Sequence, residues 1–155
     1  MLNIFVDADA CPVKPEVYRV ADRYELKVTL VAGARMRIPD GVRITLKVVG
    51  QGMDAADDWI VENMEAGDII ITADIPLAAR CVARGAYVLG HTGKPFSGDN
   101  IGLALATRNL LSELRQLGEV TGGPPPFGKR DRSRFLQALD KAVNEIRASV
   151  RPEMR

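Results

Sequence analysis

The sequence predicts an α/β protein with a mostly parallel central sheet. Apolar runs of strand length, such as residues 2–7 and 69–72, are typical of buried parallel strands. Residues 54–89 alternate twice between helix-like and strand-like segments, and the links between these segments are short. Such an arrangement favours right-handed crossovers between parallel strands. The length of 155 residues fits one domain over residues 1–155.

The N-terminal part of the chain is predicted to contain three strands and one helix. Pro12 and Pro15 favour a helix start, because proline is tolerated in the first turn of a helix and not in its interior. Residues 33–41 form a basic loop that ends in the turn signal Pro-Asp-Gly. The predicted elements are strands over 2–7, 27–32 and 42–49 and a helix over about 15–24.

The remainder of the chain is predicted to contain four helices and two strands. Gly67 and Gly85 each follow a helix-like segment, where glycine favours the left-handed conformation that ends helices. Residues 122–128 (GGPPPFG) cannot form a helix or a central strand, so we expect a surface loop there. The predicted elements are helices over about 54–65, 75–84, 103–117 and 132–148, strands over 69–72 and 86–89, and a glycine-rich loop over 90–102.

The composition is typical of a soluble globular protein, with 46% hydrophobic and 26% charged residues. No apolar stretch approaches the roughly 20 residues of a membrane helix, and the first residues do not resemble a signal peptide. We therefore expect a cytoplasmic protein without membrane contact. Cys11 and Cys81 are too few for a disulfide scaffold or a zinc site, so we expect both to be reduced and partly buried.

The net charge of +1 is unevenly distributed along the chain. Residues 1–122 carry 13 Lys and Arg against 16 Asp and Glu, hence −3, whereas residues 123–155 carry 8 against 4, hence +4. An acidic region beside a basic C-terminal segment, residues 122–150, suits a polyanionic substrate held at a metal. A solvated, charged helix face explains the same pattern without any ligand.

Three aspartates come at the ends of buried strands. Asp7 and Asp9 close the first apolar run, and Asp74 follows the run over 69–72. Ligands in open α/β sheets bind beyond the carboxyl ends of the strands, and carboxylates gathered there repel one another unless a proton or cation lies between them. Their oxygens suit Mg²⁺ or Mn²⁺. Asp9 and Asp74 have an alternative role as caps of the helices that follow.

Acidic residues ahead of two further helices are candidate metal ligands. Asp54, Asp57 and Asp58 lie at the start of a predicted helix, where the helix dipole also favours negative charge. Adjacent residues are about 100° apart around a helix, so at most one of Asp57 and Asp58 faces the pocket, and the sequence leaves open which one. Asp99 precedes another helix and has the same alternatives of capping and metal binding.

Candidate substrate-binding residues lie in three separate stretches. His91 is the only histidine, which excludes a histidine-rich zinc centre, and Lys94 follows a Thr-Gly pair that can offer backbone amides to phosphate. The basic run over 129–134, beside Phe127, can contact a nucleic-acid backbone. The residues predicted to bind substrate are Lys14, His91, Lys94, Lys129 and Arg130.

Together these motifs resemble the YaiI/YqxD family of uncharacterised bacterial proteins over nearly the whole chain. That family is similar to the PIN-like nuclease clan, whose members place acidic residues after the first strand, on a mid-chain helix and after a later strand. The matching stretches are 6–14 (VDADACPVK), 49–58 (VGQGMDAADD), 72–79 (TADIPLAA), 91–94 (HTGK), 122–127 (GGPPPF) and 131–135 (DRSRF).

The resemblance implies a PIN-like, three-layer α/β/α fold and a Mg²⁺- or Mn²⁺-dependent cut of phosphodiesters, with RNA as the expected substrate. The implied metal ligands are Asp7 with Asp9, either Asp57 or Asp58, and Asp74, with Asp99 as a further candidate. Within this set, the predicted catalytic residues are Asp7, Asp9, Asp58 and Asp74.

Two alternatives to a nuclease stay open. Residues 4–9 resemble the first motif of haloacid-dehalogenase-type phosphatases, with Asp7 as nucleophile and Asp9 as acid and base. In that case Asp68 is a poor match to the later acidic motif, because it precedes its strand and should lie at the opposite edge of the sheet. The other alternative is a PIN-like module that binds RNA or a protein without cutting, and the oligomeric state is left open.

Overall fold

The computed structural model describes residues 2–118 and 127–150, which fold around one six-stranded sheet with helices on both faces. This confirms the predicted α/β class with a mostly parallel sheet in a three-layer α/β/α arrangement. The strands are β1 (Asn3–Asp7), β2 (Lys27–Ala32), β3 (Ile44–Val48), β4 (Ile69–Ile71), β5 (Tyr87–Leu89) and β6 (Pro95–Phe96). The helices are α1 (Lys14–Tyr24), α2 (Ala55–Asn63), α3 (Ile75–Ala83), α4 (Ile101–Gln116) and α5 (Lys129–Val150).

The strand order across the sheet is β3-β2-β1-β4-β5-β6. The first five strands pair in parallel, and only β6 runs antiparallel to its neighbour β5. From β1 the chain moves outward through β2 to β3, then returns to place β4 on the other side of β1. The order of winding therefore reverses between β1 and β4, which is where open α/β sheets form a crevice at the carboxyl ends of their strands.

Alternating side chains of the strands fill two separate cores. One core lies under α1 and α5, where Ile4 and Val6 of β1 pack with Val17 of α1 and with Phe135 and Leu139 of α5. The other lies under α2 and α3, and its buried residues include Phe5, Ile60, Ile70 and Leu77. Because side chains alternate along a strand, Asp7 projects to the same face as Phe5, toward α2 and α3.

Helices α1 and α5 lie side by side and run in the same direction. Near their N-termini, Arg132 of α5 forms an ion pair with Glu16 of α1 at 3.1 Å. Near the C-terminus of α1, the Tyr24 hydroxyl donates a hydrogen bond to Asp140 of α5 at 2.6 Å. The basic N-terminus of α5 therefore lies at the carboxyl edge of the sheet, the same edge as the end of β1.

Differences from the sequence predictions concern short elements and helix ends. Strand β6 was not predicted, since Pro95–Phe96 lies inside the stretch predicted as a loop over 90–102. Helix α5 begins three residues earlier than expected, at Lys129. Most of the predicted loop over 122–128 falls outside the described residues. No helix in the described part of the chain has both the length and the apolar character needed to cross a bilayer.

Both cysteines are free and buried, as expected. Burial raises the pKa of the Cys11 thiol and raises that of Cys81 to about 11. The two thiols therefore act as small apolar core groups and not as reactive thiolates.

Candidate functional site at the carboxyl edge of the sheet

Asp7 lies at the end of the central strand, beside the crevice between β1 and β4. Its side chain is half-buried, and burial raises the pKa of its carboxyl group. The nearby charges of Asp74 and Asp9 raise this pKa further, whereas a hydrogen bond from Thr72 lowers it. The ionised form of Asp7 is therefore less favourable in the folded protein than it is in water.

Thr72 connects two of the predicted acidic residues, a role that the sequence interpretation missed. It is fully buried, and its hydroxyl donates to Asp7 Oδ2 at 2.9 Å while accepting from the backbone N–H of Asp74 at 3.0 Å. The alternation of β4 offers a signal for this contact, because Thr72 follows Ile70 by two residues and so faces the same side of the sheet. The hydroxyl fixes the Asp7 side chain beside the turn that carries Asp74.

Asp74 is the N-cap of α3, as the capping alternative predicted. Its Oδ1 accepts a hydrogen bond from the backbone N–H of Leu77 at 3.0 Å, and Pro76 occupies the first turn of the helix. This bond satisfies one of the free N–H groups at the helix start. The second carboxylate oxygen has no hydrogen-bond partner within the described residues, so capping and ligand binding are compatible at this residue.

Asp57 is the acidic residue of α2 that faces the crevice. Its pKa is raised to about 6, first by burial and then by the charges of Asp74, Asp7 and Asp54, while Arg80 lowers it. The pKa of Asp57 is thus affected by Asp7 and Asp74, two predicted metal ligands that come from different elements. Of the two adjacent aspartates, Asp57 is the less exposed one, and its charge interacts with those of Asp7 and Asp74.

Asp58 faces away from this cluster. It is exposed, and its Oδ1 accepts from Arg80 of α3 at 2.8 Å. The guanidinium of Arg80 therefore neutralises Asp58 on the outer surface between α2 and α3. The structure does not bring this predicted catalytic residue together with Asp7 and Asp74.

The remaining predicted acids lie at the margin of the site. Asp9 is exposed in the turn that follows β1, and its Oδ2 accepts from the backbone N–H of Gly33 at 2.9 Å. It does not cap α1, whose N-cap is Val13. Asp99 is exposed ahead of α4, and its charge is not among those that raise the pKa of Asp7 or Asp57.

The predicted substrate-binding residues surround the same edge of the sheet. Lys14 Nζ donates to the carbonyl of Ala8 at 3.2 Å, which places the ammonium group beside the chain that leaves β1. Lys129 and Arg130 are exposed in the first turn of α5. Lys94 is exposed in the loop after β5.

His91 lies in the same loop as Lys94, and its side chain is partly buried. Among the described residues, its Nε2 atom is the only buried side-chain nitrogen or oxygen without a hydrogen-bond partner. Burial lowers the pKa of His91, which favours the neutral form of its imidazole. A neutral ring contributes no charge to anion binding.

The donor set at this crevice suits a hard divalent cation. Asp7, Asp57 and Asp74 supply only carboxylate oxygens, the ligand type that Mg²⁺ and Mn²⁺ favour, and burial followed by neighbouring carboxylates raises the pKa of the first two. Within residues 2–118 and 127–150, however, no three acidic, histidine or cysteine side chains are arranged as a ready metal site. The carboxylates act on one another through their charges without forming a preassembled cage.

The acidic residue that a phosphatase needs lies at the opposite edge of the sheet, as expected. Asp68 precedes β4, and its carboxylate accepts from the backbone N–H groups of Asn3 and Glu65 at 3.1 and 2.9 Å. Asn3 begins β1, so these contacts lie at the amino ends of the strands. Asp68 therefore ties two strand starts together and is remote from the end of β1.

Comparison with known proteins gives consistent matches over most of the chain. A family model described as "Uncharacterized BCR, YaiI/YqxD family" matches residues 5–145. A UPF0178 protein of Rhodopseudomonas palustris (strain TIE-1) is 58% identical over 146 residues, which cover 94% of this chain and 92% of that relative. UPF0178 proteins of Nitrobacter winogradskyi and Bradyrhizobium sp. (strain ORS 278) are 56% and 54% identical, covering 94% of this chain in both cases and 93% and 88% of the relatives. No solved structure matches this chain.

Proposed function

We propose that this chain, which belongs to the uncharacterised YaiI/YqxD family, is a divalent-metal-dependent nuclease that cuts RNA phosphodiesters. The observation that carries the proposal is that Asp7, Asp57 and Asp74 come from three separate elements and lie close enough for the charges of Asp74 and Asp7 to raise the pKa of Asp57. Carboxylates that repel one another in this way are expected to gain stability by sharing a cation.

In this proposal Asp7, Asp57 and Asp74 hold Mg²⁺ or Mn²⁺. When bound, such an ion neutralises charge on a phosphodiester and lowers the pKa of water. Hydrogen bonds within the protein orient two of these carboxylates. The Thr72 hydroxyl donates to Asp7, and the backbone N–H of Leu77 donates to Asp74. Both contacts leave one carboxylate oxygen of each residue for a ligand.

Asp57 can also exchange a proton near neutral pH in the metal-free protein. Its pKa of about 6 lies close to the operating range of a general acid or base, and it results from burial and from neighbouring carboxylates. A cation at the crevice favours the deprotonated form of Asp57, so metal binding is expected to release a proton from this group.

Substrate positioning is assigned to the basic groups around the crevice. Lys129 and Arg130 stand at the N-terminus of α5, where the helix dipole adds to their positive charge and attracts phosphate. Lys14 lies beside the end of β1 and is the basic residue nearest in sequence to Asp7 and Asp9. We place this activity in the cytoplasm, the compartment in which Cys11 and Cys81 stay reduced.

The test is cleavage of a labelled single-stranded RNA by purified protein with Mn²⁺, with Mg²⁺ and with EDTA. We expect metal-dependent cleavage that falls by about a hundredfold or more in Asp7→Asn and in Asp57→Asn. Asp58→Asn is the matched control, because it changes the same chemical group one residue away on the outer side of α2, and it should retain activity.

Four results would contradict the proposal. Cleavage that persists unchanged in EDTA would exclude a metal-dependent reaction. Loss of activity in Asp58→Asn with full activity in Asp57→Asn would show that the chemistry belongs to the other face of α2. RNA binding without any cleavage under all metal conditions would favour a binding module, and a trapped aspartyl-phosphate mimic on Asp7 would favour a phosphatase.

A further inference from the structure

A groove of about 420 Å³ begins beside the acidic crevice and continues along α4. One wall of the groove includes Ile75, which directly follows Asp74 in the chain, so the groove and the crevice share the N-terminus of α3. Its opposite wall is formed by α4, with Leu103 and Leu111 among the lining residues. A volume of this size is within the range of sites that bind small organic groups.

The lining of the groove combines an apolar surface with two cations. Phe96 of β6 supplies an aromatic ring, and this ring lies so close to Gly90 that a Cβ atom added there would be 3.4 Å from it. Lys94 and Arg108 also line the groove, both are exposed, and neither forms an ion pair within the described residues. Flat apolar surface flanked by positive charge matches a base with phosphates on either side.

We infer that this groove binds one unpaired nucleobase of an RNA strand next to the phosphodiester at the acidic crevice, with Phe96 against the base and with Lys94 and Arg108 on the flanking phosphates. The inference rests on the proposed function and specifies its substrate as single-stranded RNA. A base inside a duplex keeps both faces stacked and cannot enter a groove between a strand and a helix. The occupant is a nucleotide and not an apolar peptide, because two cations without acidic partners in the described part of the chain border the apolar surface.

The test measures binding separately from cleavage. A short fluorescein-labelled single-stranded RNA and the same RNA annealed to its complement are titrated with the protein in EDTA, and fluorescence polarisation reports the dissociation constant. We expect tighter binding of the single strand, and Phe96→Leu should weaken it by about tenfold, since the ring that stacks on the base is lost. Circular dichroism checks that Phe96→Leu is folded.

Arg108→Ala provides a second variant, and because the Arg108 side chain is exposed, its removal leaves no cavity in the core. Loss of one phosphate contact should reduce the slope of log affinity against log salt concentration by about 0.7 for a single strand. Arg115→Ala is the matched control, because Arg115 is an exposed arginine of the same helix that does not line the groove, and its slope should stay unchanged.

The inference is overturned if wild-type protein binds no single-stranded RNA or binds the duplex equally well. Unchanged single-strand affinity in both Phe96→Leu and Arg108→Ala also overturns it. So does a dimer that Leu103→Glu dissociates without changing RNA affinity, because a second copy of the chain would then cover this surface. Binding with the expected pattern but without cleavage in Mn²⁺ leaves the groove assigned and removes the nuclease function, so the two proposals fail separately.

Discussion

At the scale of single residues, Asp57 shows most clearly that ionised carboxylates at the crevice destabilise the metal-free folded state. Its pKa is raised from 3.8 to about 6, so the folded protein holds this proton more tightly than the unfolded chain does. As the pH rises from about 4 to about 6, the unfolded chain releases the proton first, and the folded state loses stability relative to it. Above about pH 6, Asp57 is ionised in both states, and the loss of folding stability reaches its full value.

Replacing Asp57 with asparagine is therefore expected to stabilise the metal-free protein at neutral pH. A shift of this size corresponds to about 3 kcal/mol for a fully buried group, but solvent screens this half-buried side chain, so we expect roughly 1 kcal/mol. The difference from wild type should become small at about pH 3 and below, where Asp57 is protonated in both states. Urea unfolding in EDTA at pH 7.5 and at pH 3 measures it.

Asp58→Asn is the control for this prediction. Asp58 is exposed and paired with Arg80, so its replacement removes a surface ion pair and should not stabilise the protein at either pH. Equal stability of Asp57→Asn and wild type at pH 7.5 would show that Asp57 carries no electrostatic penalty.

The helical spacing of the sequence is sufficient to predict which of Asp57 and Asp58 faces the protein interior. Asp57 precedes Ile60 by three residues and Met64 by seven, and both of these side chains are buried. Asp58 precedes the exposed Glu62 by four residues, which places it on the polar face. By contrast, the pairing of Asp58 with Arg80 depends on how α2 packs against α3, and no local pattern indicates it.

At the scale of elements, the loop between β5 and β6 connects the carboxyl edge of the sheet to α5. Gly93 in this loop has a φ of +87°, and a Cβ atom there would lie 2.8 Å from the carbonyl oxygen of Arg134. The loop can approach the α5 backbone this closely only because the residue is glycine. Its contact holds His91 and Lys94 beside the N-terminal half of α5.

We expect Gly93→Ala to destabilise the protein by roughly 2–4 kcal/mol, from the left-handed backbone and from the close contact together. Gly67→Ala separates the two causes, since Gly67 has a φ of +90° and a Cβ atom added there would meet nothing within 4 Å. It should cost only about 1–2 kcal/mol. Thermal unfolding of both variants tests this, and equal losses would show that the loop is not packed against α5 as described.

Element prediction succeeded where the local signals were long and failed where they were short. The buried apolar run of β1 and the proline and glycine signals around α3 identify those elements almost to the residue. Strand β6 has two residues and begins with proline, so it is defined by pairing with β5 and not by its own sequence. The early start of α5 follows from tertiary contacts, because Arg132 in its first turn bonds the carbonyl of Pro12 at 2.6 Å.

At the scale of the whole molecule, the strand order brings the three acidic positions together. Asp7 and Asp74 are far apart in sequence, and they meet because β1 and β4 are neighbours in the sheet. The sequence predicts parallel strands with acids at their carboxyl ends, but it does not specify which strands are adjacent. Register and strand order arise from the packing of the entire chain, and they decide that Asp7, Asp57 and Asp74 share one crevice.

The most direct test of this account is calorimetric titration of Mn²⁺ into metal-free wild-type protein, Asp57→Asn and Asp58→Asn. We expect wild type and Asp58→Asn to bind the ion with similar heats, and Asp57→Asn to show weak binding or none, because it removes one of the three converging carboxylates. Equal heats from wild type and Asp57→Asn would contradict a cation site at the crevice between β1 and β4.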